Sequence, residues 1–341
     1  MHGVGHRSGT CLVTYAFTGC ALKSLHNTFL RISSIHVVNM TKKMEDLYNE
    51  YPWLKITTSL EEYIEPNYYN RILKDYVFDG KSDIKLFDAF LKKINLDKEI
   101  AALELGCGTG RATRFFINSL KTANFNLDLV DLSKRMLDFS KKEFKNYSNI
   151  KFFESDSMNF LEKASKKYDI IFSLWSFSHS VHQNLVKRGL YEGKKYVQDV
   201  ISKMITDNMK TNSKFFLIHF DSLSDEQRIL MKQGSKVFSI YKDFDKQSPS
   251  KLLIDEVLQR LNNEGVIKLT ANHFVGEAIT YSSIDEALEV FLNFHMESYF
   301  NENPLLPSVI DELKEYFGKF TDEDGKIRIK PGCFTYEVEK M

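Results

Sequence analysis

The sequence of 341 residues is poor in cysteine and proline and has no excess of charge of either sign. Its four cysteines, Cys11, Cys20, Cys107 and Cys333, are scattered without metal-ligand spacing. This pattern argues against a zinc site and a disulfide framework, and it suits a reducing compartment. The six prolines form no rigid linker that would divide the chain. Lys plus Arg equal Asp plus Glu at 46 each, so no basic field favours nucleic acid as a partner.

Acidic residues are absent from the N-terminal region, because the first acid is Glu45. The uncharged run 8–22 is shorter than the roughly 20 residues that a transmembrane helix needs, so no membrane insertion is predicted. A segment that is rich in Ser, slightly basic and free of acids is typical of an organelle transit peptide. Alternatively, the protein starts at Met40. In either case we expect residues 1–43 to be a disordered or transit-like extension. We expect the protein to be cytoplasmic unless that extension directs it to an organelle.

A glycine-rich turn with the sequence E-L-G-C-G-T-G runs from Glu104 to Gly110, after a short apolar run and before a helical pattern. Glycines let the backbone approach a ligand, and the free N–H groups of the following helix point to the same place. The dinucleotide fingerprint G-x-G-x-x-G needs its third glycine one residue later, where Arg111 stands. The Glu104 carboxylate would repel a pyrophosphate and suits a ligand with positive charge. The alternative is a glycine turn that binds no ligand.

Two acids lie at the ends of the next predicted strands. Asp131 closes the apolar run 127–131, about 20 residues beyond the glycines, where a carboxylate can hold both hydroxyls of a ribose. The run 150–158 predicts a third strand ending in Asp156. Residues 168–175 predict a fourth strand, so the chain alternates strands and helices as a parallel α/β sheet requires.

In this order and spacing, these segments resemble the motifs of the class I S-adenosylmethionine (SAM)-dependent methyltransferases over about residues 98–220. The resemblance implies an α/β fold, with a Rossmann-like doubly wound seven-stranded sheet whose last strand is antiparallel, plus N-terminal helices and a helical insert. It implies SAM as cofactor, with the adenine amino group bound at Asp156 and its neighbour. The C-terminal helix, Asp-Gly-Lys turn and closing strand also resemble histamine N-methyltransferase over a short tail. The implied cofactor-binding residues are Glu104, Gly106, Cys107, Gly108, Gly110, Asp131, Leu132, Met136, Asp156, Ser157 and Ser173.

The same reading divides the chain into regions. Residues 44–97 are predicted to form an N-terminal helical lid, and residues 98–341 a methyltransferase domain with an insert at about 222–263. Phe334–Val338 fits the closing antiparallel strand. Pro331 and the glycine after it predict a hairpin that joins this strand to residues 325–329.

Methyl transfer to a nucleophile is an in-line displacement, in which orientation supplies effective molarities of ~10⁵–10⁸ M. A general base adds ~10²–10⁴-fold. His179, after the fourth strand, is the predicted base because an imidazole titrates near neutrality; a surface or capping histidine is the alternative. No carboxylate joins the His179-x-x-His182 pair locally, so no metal site is predicted. The predicted substrate contacts, with aromatic or core packing as the alternative, are Tyr68, Tyr69, Trp175, His182 and His219.

These observations predict an enzyme that transfers a methyl group from SAM to N or O of a small molecule. The segment after the fourth strand lacks the N/D-P-P-Y/F pattern of methyltransferases that act on the amino groups of nucleic-acid bases. Two alternatives stay open: a non-catalytic SAM-binding regulatory module, and a nicotinamide-dependent oxidoreductase, against which Glu104 and the early third glycine argue. A protein acceptor also stays open, and no oligomeric state is predicted.

Overall fold

The computed structural model describes residues 45–55, 66–121, 124–296, 300 and 303–341. The predicted extension, residues 1–43, lies outside the described residues. The strands are β1 Val77–Phe78, β2 Lys81–Ser82, β3 Ile100–Leu105, β4 Phe125–Asp131, β5 Ile150–Glu154, β6 Tyr168–Leu174, β7 Met209–Phe220, β8 Ile267–Val275, β9 Ile279–Tyr281, β10 Ile327–Ile329 and β11 Gly332–Lys340. Residues 45–50 are helical, and the labelled helices are α1 Pro66–Ile72, α2 Asp83–Leu91, α3 Arg111–Ser119, α4 Lys134–Glu143, α5 Ser157–Lys163, α6 Phe177–Arg188, α7 Leu190–Thr206, α8 Asp225–Gly234, α9 Pro249–Asn263, α10 Ile284–Val290 and α11 Leu306–Gly318.

The central sheet has seven strands in the order β5-β4-β3-β6-β7-β11-β8. The first five strands in this order, β5, β4, β3, β6 and β7, pair in parallel. Strand β11 is antiparallel to both β7 and β8. The predicted Rossmann-like doubly wound sheet with an antiparallel last strand is therefore confirmed. The predicted terminal hairpin is wrong, because β10 pairs with β9. The backbone at Pro331 and Gly332 instead accepts hydrogen bonds from Gly276 and Asp221 and runs straight into β11.

The central strands are apolar because helices cover both faces of the sheet. One core lies against α2 and α3 and includes Phe87, Phe116 and Phe172; the other lies against α6, α7 and α9. Side-chain oxygens accept N–H groups at several helix starts, which satisfies donors that the first turn leaves free. These capping residues are Ser82, Ser133, Asp156, Ser224, Ser248 and Ser283.

Two segments lie outside the regular alternation of strands and helices. Within the predicted insert, α8 follows β7, but α9 is the crossover helix to β8 and buries Leu253, Val257 and Leu258 in the core. A second segment, residues 276–331, lies between β8 and β11 and contains β9, α10, a π-helical turn Phe291–His295, α11 and β10. It packs on α1 through Phe294 and Tyr69. The domain division itself stays a prediction. Among the described helices, none has the length and apolarity to cross a membrane.

Candidate active site

A cavity lies beyond the carboxyl ends of β3, β4, β5 and β6, where ligands bind in open α/β sheets. One wall, which we call the cofactor wall, consists of Gly106, Gly108, Asp131, Leu132, Met136, Ser155, Asp156 and Ser157. A second group of lining residues, which we call the acceptor wall, consists of Tyr69, His179, His182, His219, Phe220, Leu230, Met231, Tyr241, Phe294, His295 and Met296. Seven of the predicted cofactor residues line this cavity, and so do the predicted base His179 and four of the five predicted substrate contacts, Tyr69, Trp175, His182 and His219.

The three glycines of the turn serve different purposes. All three have positive φ, at 74°, 51° and 78° for Gly106, Gly108 and Gly110. A Cβ on Gly106 would lie 1.9 Å from Ser176 Oγ, and one on Gly110 would lie 2.3 Å from the Phe144 ring. A Cβ on Gly108 would meet no heavy atom within 4 Å, and this residue borders the cavity. Two glycines thus permit close packing, while Gly108 leaves its backbone open to a ligand.

Asp131 fastens the glycine turn to the end of β4. Its carboxylate accepts the Gly108 N–H at 2.7 Å and the Ser133 N–H at 2.8 Å. Burial raises the pKa of this carboxyl, and the backbone hydrogen bonds oppose that effect. Beside it, Leu132 is 44% exposed and gives the cavity an apolar surface. This part of the wall thus offers the Asp131 carboxylate and apolar area, and neither feature suits a pyrophosphate.

Asp156 caps α5 and connects it to α6. Its carboxylate accepts the Asn159 N–H at 3.1 Å, the Ser180 hydroxyl at 2.5 Å and the Asn184 amide at 3.2 Å. Ser157 follows at the first position of the helix, buried and at the cavity wall. The carboxylate is thus held in one place on the cofactor wall by three donors of the chain.

Four predicted cofactor residues lie outside the cavity lining. Ser173 is buried and donates its hydroxyl to the Leu105 carbonyl, which joins β6 to β3. Cys107 is buried, and burial raises the pKa of its thiol, so it packs as a small apolar residue. Gly110 faces Phe144. Glu104 is 2% exposed and accepts the Thr113 hydroxyl. These four residues pack inside the protein and stabilise the glycine turn without lining the cavity.

Burial raises the pKa of Glu104 from 4.5 to about 8. Between about pH 5 and pH 8, the Glu104 carboxyl is therefore protonated in the folded protein and ionised in the unfolded chain. Stability falls as pH rises between these two values, by at most about 1.4 kcal/mol per pH unit. We expect Glu104→Gln, which has no proton to lose, to reduce this decline by on the order of 1 kcal/mol between about pH 6 and pH 7. Urea unfolding at the two pH values measures this, and equal slopes in both proteins would contradict it.

Trp175 ends β6 with a φ of 70° and is 2% exposed. Its ring packs against Phe220 at a centroid distance of 4.6 Å, and its Nε1 donates to Asp83 at 2.8 Å. The indole thus belongs mainly to the core and shows only an edge to the cavity. Tyr68 lies outside the lining, with the Arg71 guanidinium 4.7 Å from its ring centroid, while Tyr69 lines the cavity.

Four histidines border the acceptor wall, and burial lowers the pKa of each. The pKa of His219 falls to about 4, and both of its ring nitrogens are engaged, by the Phe220 carbonyl at 2.7 Å and the Ser250 hydroxyl at 2.9 Å. His179 has an exposed surface, but the surrounding protein atoms desolvate its ring, which lowers its pKa. His182 contacts the Tyr241 ring edge-on at 5.2 Å. Within the ranges described, no three His, Cys, Asp or Glu side chains form a group that could hold a metal.

The fourth histidine, His295, was missed by the sequence analysis, as were Asp83 and the role of Arg111. Asp83 is fully buried and pairs through both carboxylate oxygens with the Arg111 guanidinium, one contact being 2.8 Å. The same carboxylate accepts the Trp175 indole N–H. Arg111, which follows the glycine turn where a small residue is expected, was the signal available in the sequence. A buried guanidinium requires an acidic partner, so Arg111 pointed to a buried carboxylate nearby.

Residues 102–198 match a family model described as a methyltransferase domain. A malonyl-[acyl-carrier protein] O-methyltransferase of Halalkalibacterium halodurans is 36% identical over 77 residues, which are 22% of this chain and 28% of that protein. Malonyl-[acyl-carrier protein] O-methyltransferase 1 of Ilyobacter polytropus is 34% identical over 80 residues, 24% of this chain and 28% of the relative. The chain thus spans well under half the length of these relatives.

Among solved structures, the YcgJ protein of Bacillus subtilis is 14% identical to this chain, with a TM-score of 0.44. The structural alignment covers 75% of this chain and 97% of that one. The sequence match falls on the segment that holds the glycine turn, Asp131 and Asp156. Residues 102–198 of this chain are therefore similar to a methyltransferase domain.

Proposed function

We propose that this protein is an enzyme that transfers a methyl group from SAM to a nitrogen or oxygen atom of a small molecule. The observation that supports this most is that one cavity is lined both by the cofactor wall and by the aromatic, methionine and histidine side chains of the acceptor wall. Transfer between two molecules requires both to be held in one enclosed site.

The cofactor wall fits SAM better than a dinucleotide. Asp131 would accept the ribose hydroxyls, and the open backbone at Gly108 would allow close approach. Leu132 and Met136 would contact the adenine, with Asp156 and Ser157 at its edge. When bound, SAM supplies an electrophilic methyl group, and the residues of the chain orient the acceptor and exclude water.

The acceptor wall supports a small, mainly apolar substrate. Phe220, Leu230, Met231 and Phe294 provide apolar area, and the side chains that line this wall carry no carboxylate or ammonium group. The pKa of each histidine is lowered, which favours the neutral imidazole. Because both ring nitrogens of His219 are engaged, His179, His182 and His295 remain as candidates to accept a proton. His179 stays our sequence-based prediction for the base.

The neutral net charge supports a small molecule over nucleic acid. The malonyl-[acyl-carrier protein] in the names of the two relatives is not carried over, because their match to this chain is confined to 77 and 80 residues. A cytoplasmic location is supported by the buried, unpaired Cys107 and Cys333.

Calorimetric titration with SAM and with NAD tests the cofactor, and we expect heat of binding with SAM alone. Incubation with methyl-labelled SAM and a metabolite extract then tests turnover, and we expect label in a low-molecular-weight product. SAM binding without labelled product from any extract would favour the non-catalytic regulatory module. Binding of NAD without SAM would overturn the proposal.

A further inference from the structure

A buried carboxylate lies directly behind one of the cavity histidines. Glu226, in the first turn of α8, is 1% exposed, and its Oε1 lies 3.6 Å from Nε2 of His295. The His295 side chain is 3% exposed to solvent, yet the residue borders the acceptor wall. A charged carboxylate that is removed from water needs a positive or donating partner, because its desolvation is costly.

Two other side chains hold this carboxylate in place. The Tyr76 hydroxyl donates to Oε1 at 2.5 Å, and the Gln227 amide donates to Oε2 at 3.0 Å. Burial and the nearby carboxylate raise the pKa of Tyr76 well above its ordinary value, so its hydroxyl remains a donor. Glu226 therefore keeps a fixed position next to the imidazole.

His295 has Glu226 as an acidic neighbour, and its Nε2 has no hydrogen-bond partner among the described residues. Asp255 likewise raises the pKa of His219, but burial has the larger effect there. His219 uses both ring nitrogens within the fold. The pKa of His179 is lowered by burial, and that of His182 by burial and by the neighbouring His179 and His219. For His295, burial lowers the pKa whereas Glu226 raises it. An imidazolium that forms at His295 is thus stabilised by a fixed opposite charge.

The backbone around His295 is also unusual. It is the last residue of the π-helical turn Phe291–His295, which follows α10, and its ring is flanked by Phe291 and Phe294 at centroid distances of 4.8 Å each. Such π-helical turns are rare in proteins, and those that occur are often found at functional sites. The two phenylalanines restrict the imidazole while Glu226 faces it from α8.

We propose that His295 takes the proton of the methyl acceptor and that Glu226 is the positioning residue that stabilises the resulting imidazolium. This inference rests on the proposed function. The acceptor lone pair forms the new bond to the methyl carbon, the carbon–sulfur bond breaks, and its electron pair stays on sulfur. The acceptor proton moves to His295 and later to solvent, so atoms and charge balance. A base oriented by a third group is a recurring arrangement in catalysis, and Glu226, 3.6 Å from His295 Nε2, is placed to act as that group.

The coupling between the two residues can be measured without any turnover. In protein with ¹³C-labelled histidine, NMR titration of the His295 ring, assigned with His295→Asn, reports its pKa. Glu226→Gln keeps an acceptor for Tyr76 and removes the charge that faces His295. We expect the pKa of His295 to fall by about 1 unit or more, because an opposite charge at this distance shifts a pKa by about 1–3 units. An unchanged His295 titration in a folded Glu226→Gln protein would overturn the proposal.

Kinetics supply the second readout. We expect His295→Asn to lower kcat by about 10²–10⁴-fold with little change in the Kd for SAM, and to lower it more than His179→Asn does. The matched control is His273→Asn, since His273 pairs with Asp221 at 2.7 Å but does not line the cavity. A larger loss in His179→Asn than in His295→Asn would assign the proton to His179. Failure of the wild-type protein to bind SAM would refute the proposed function, whereas normal SAM binding with an uncoupled His295 would refute only this inference.

Discussion

Asp131→Ala is expected to weaken SAM binding by about 100-fold or more. In the proposed complex the carboxylate accepts two ribose hydroxyls, and a hydrogen bond to a charged group contributes about 1.5–3 kcal/mol. The substitution also releases the Gly108 N–H, which the carboxylate holds at 2.7 Å. The turn then loses one of its anchors to β4 as well as its ligand contact. Calorimetric titration with SAM measures the loss.

Asp138→Ala is the matched control for this experiment. Asp138 lies on α4, 41% exposed, and forms ion pairs with Lys134 and Lys141. Because exposed ion pairs contribute little, its removal should leave both SAM affinity and stability almost unchanged. Equal SAM affinities in Asp131→Ala and wild type would remove Asp131 from the cofactor site and the main support for the proposed function with it.

Asp83→Ala is expected to lower the free energy of unfolding by about 3–5 kcal/mol, the cost of leaving one partner of a buried ion pair alone. The variant leaves the Arg111 guanidinium, only 23% exposed, without its carboxylate and the Trp175 indole N–H without its acceptor. These partners belong to α2, to the start of α3 and to the end of β6. The loss should therefore also affect the glycine turn. Urea denaturation gives the stability change.

The control lies on the same helix. Asp88 pairs with Lys92 four residues away and is 28% exposed, so Asp88→Ala should cost less than about 1 kcal/mol. A comparable loss in the two variants would show that α2 as a whole, and not the buried pair, is responsible. A small loss in Asp83→Ala would mean that water replaces the missing carboxylate.

The parts of the molecule that were predicted correctly depend on local patterns. The predicted second strand, 127–131, lies within β4, and the predicted fourth, 168–175, covers β6. Apolar runs and glycines carry enough information for these elements, because burial on both faces leaves little choice of residue. Convergence of Gly108, Asp131 and Asp156 on one cavity followed from the topology of a parallel sheet.

The parts that were missed depend on contacts between distant segments. Glu226 and His295 are far apart in the sequence and meet only through packing between α8 and the segment after β9, and no periodicity encodes that choice. The same applies to β9, whose pairing with β10 replaced the predicted hairpin. The roles of some side chains were also predicted incorrectly, because the same residue type can either contact a ligand or support the backbone. Glu104 was predicted to contact the ligand as a carboxylate, but it is buried outside the cavity lining, and burial raises its pKa to about 8.

The position of β11 has a consequence for how the protein is made. Since β11 lies between β7 and β8, the edge strand β8 reaches the sheet only through it. A ribosome releases β8 first, then residues 276–331, and only afterwards the strand that joins them to the sheet. During that interval β8 and β7 both present unpaired backbone, which is a template for association with other chains. Attachment of β8 and of the segment that supplies Phe294, His295 and Met296 to the acceptor wall thus waits for β11, and the nascent chain is exposed to aggregation until that strand has been made.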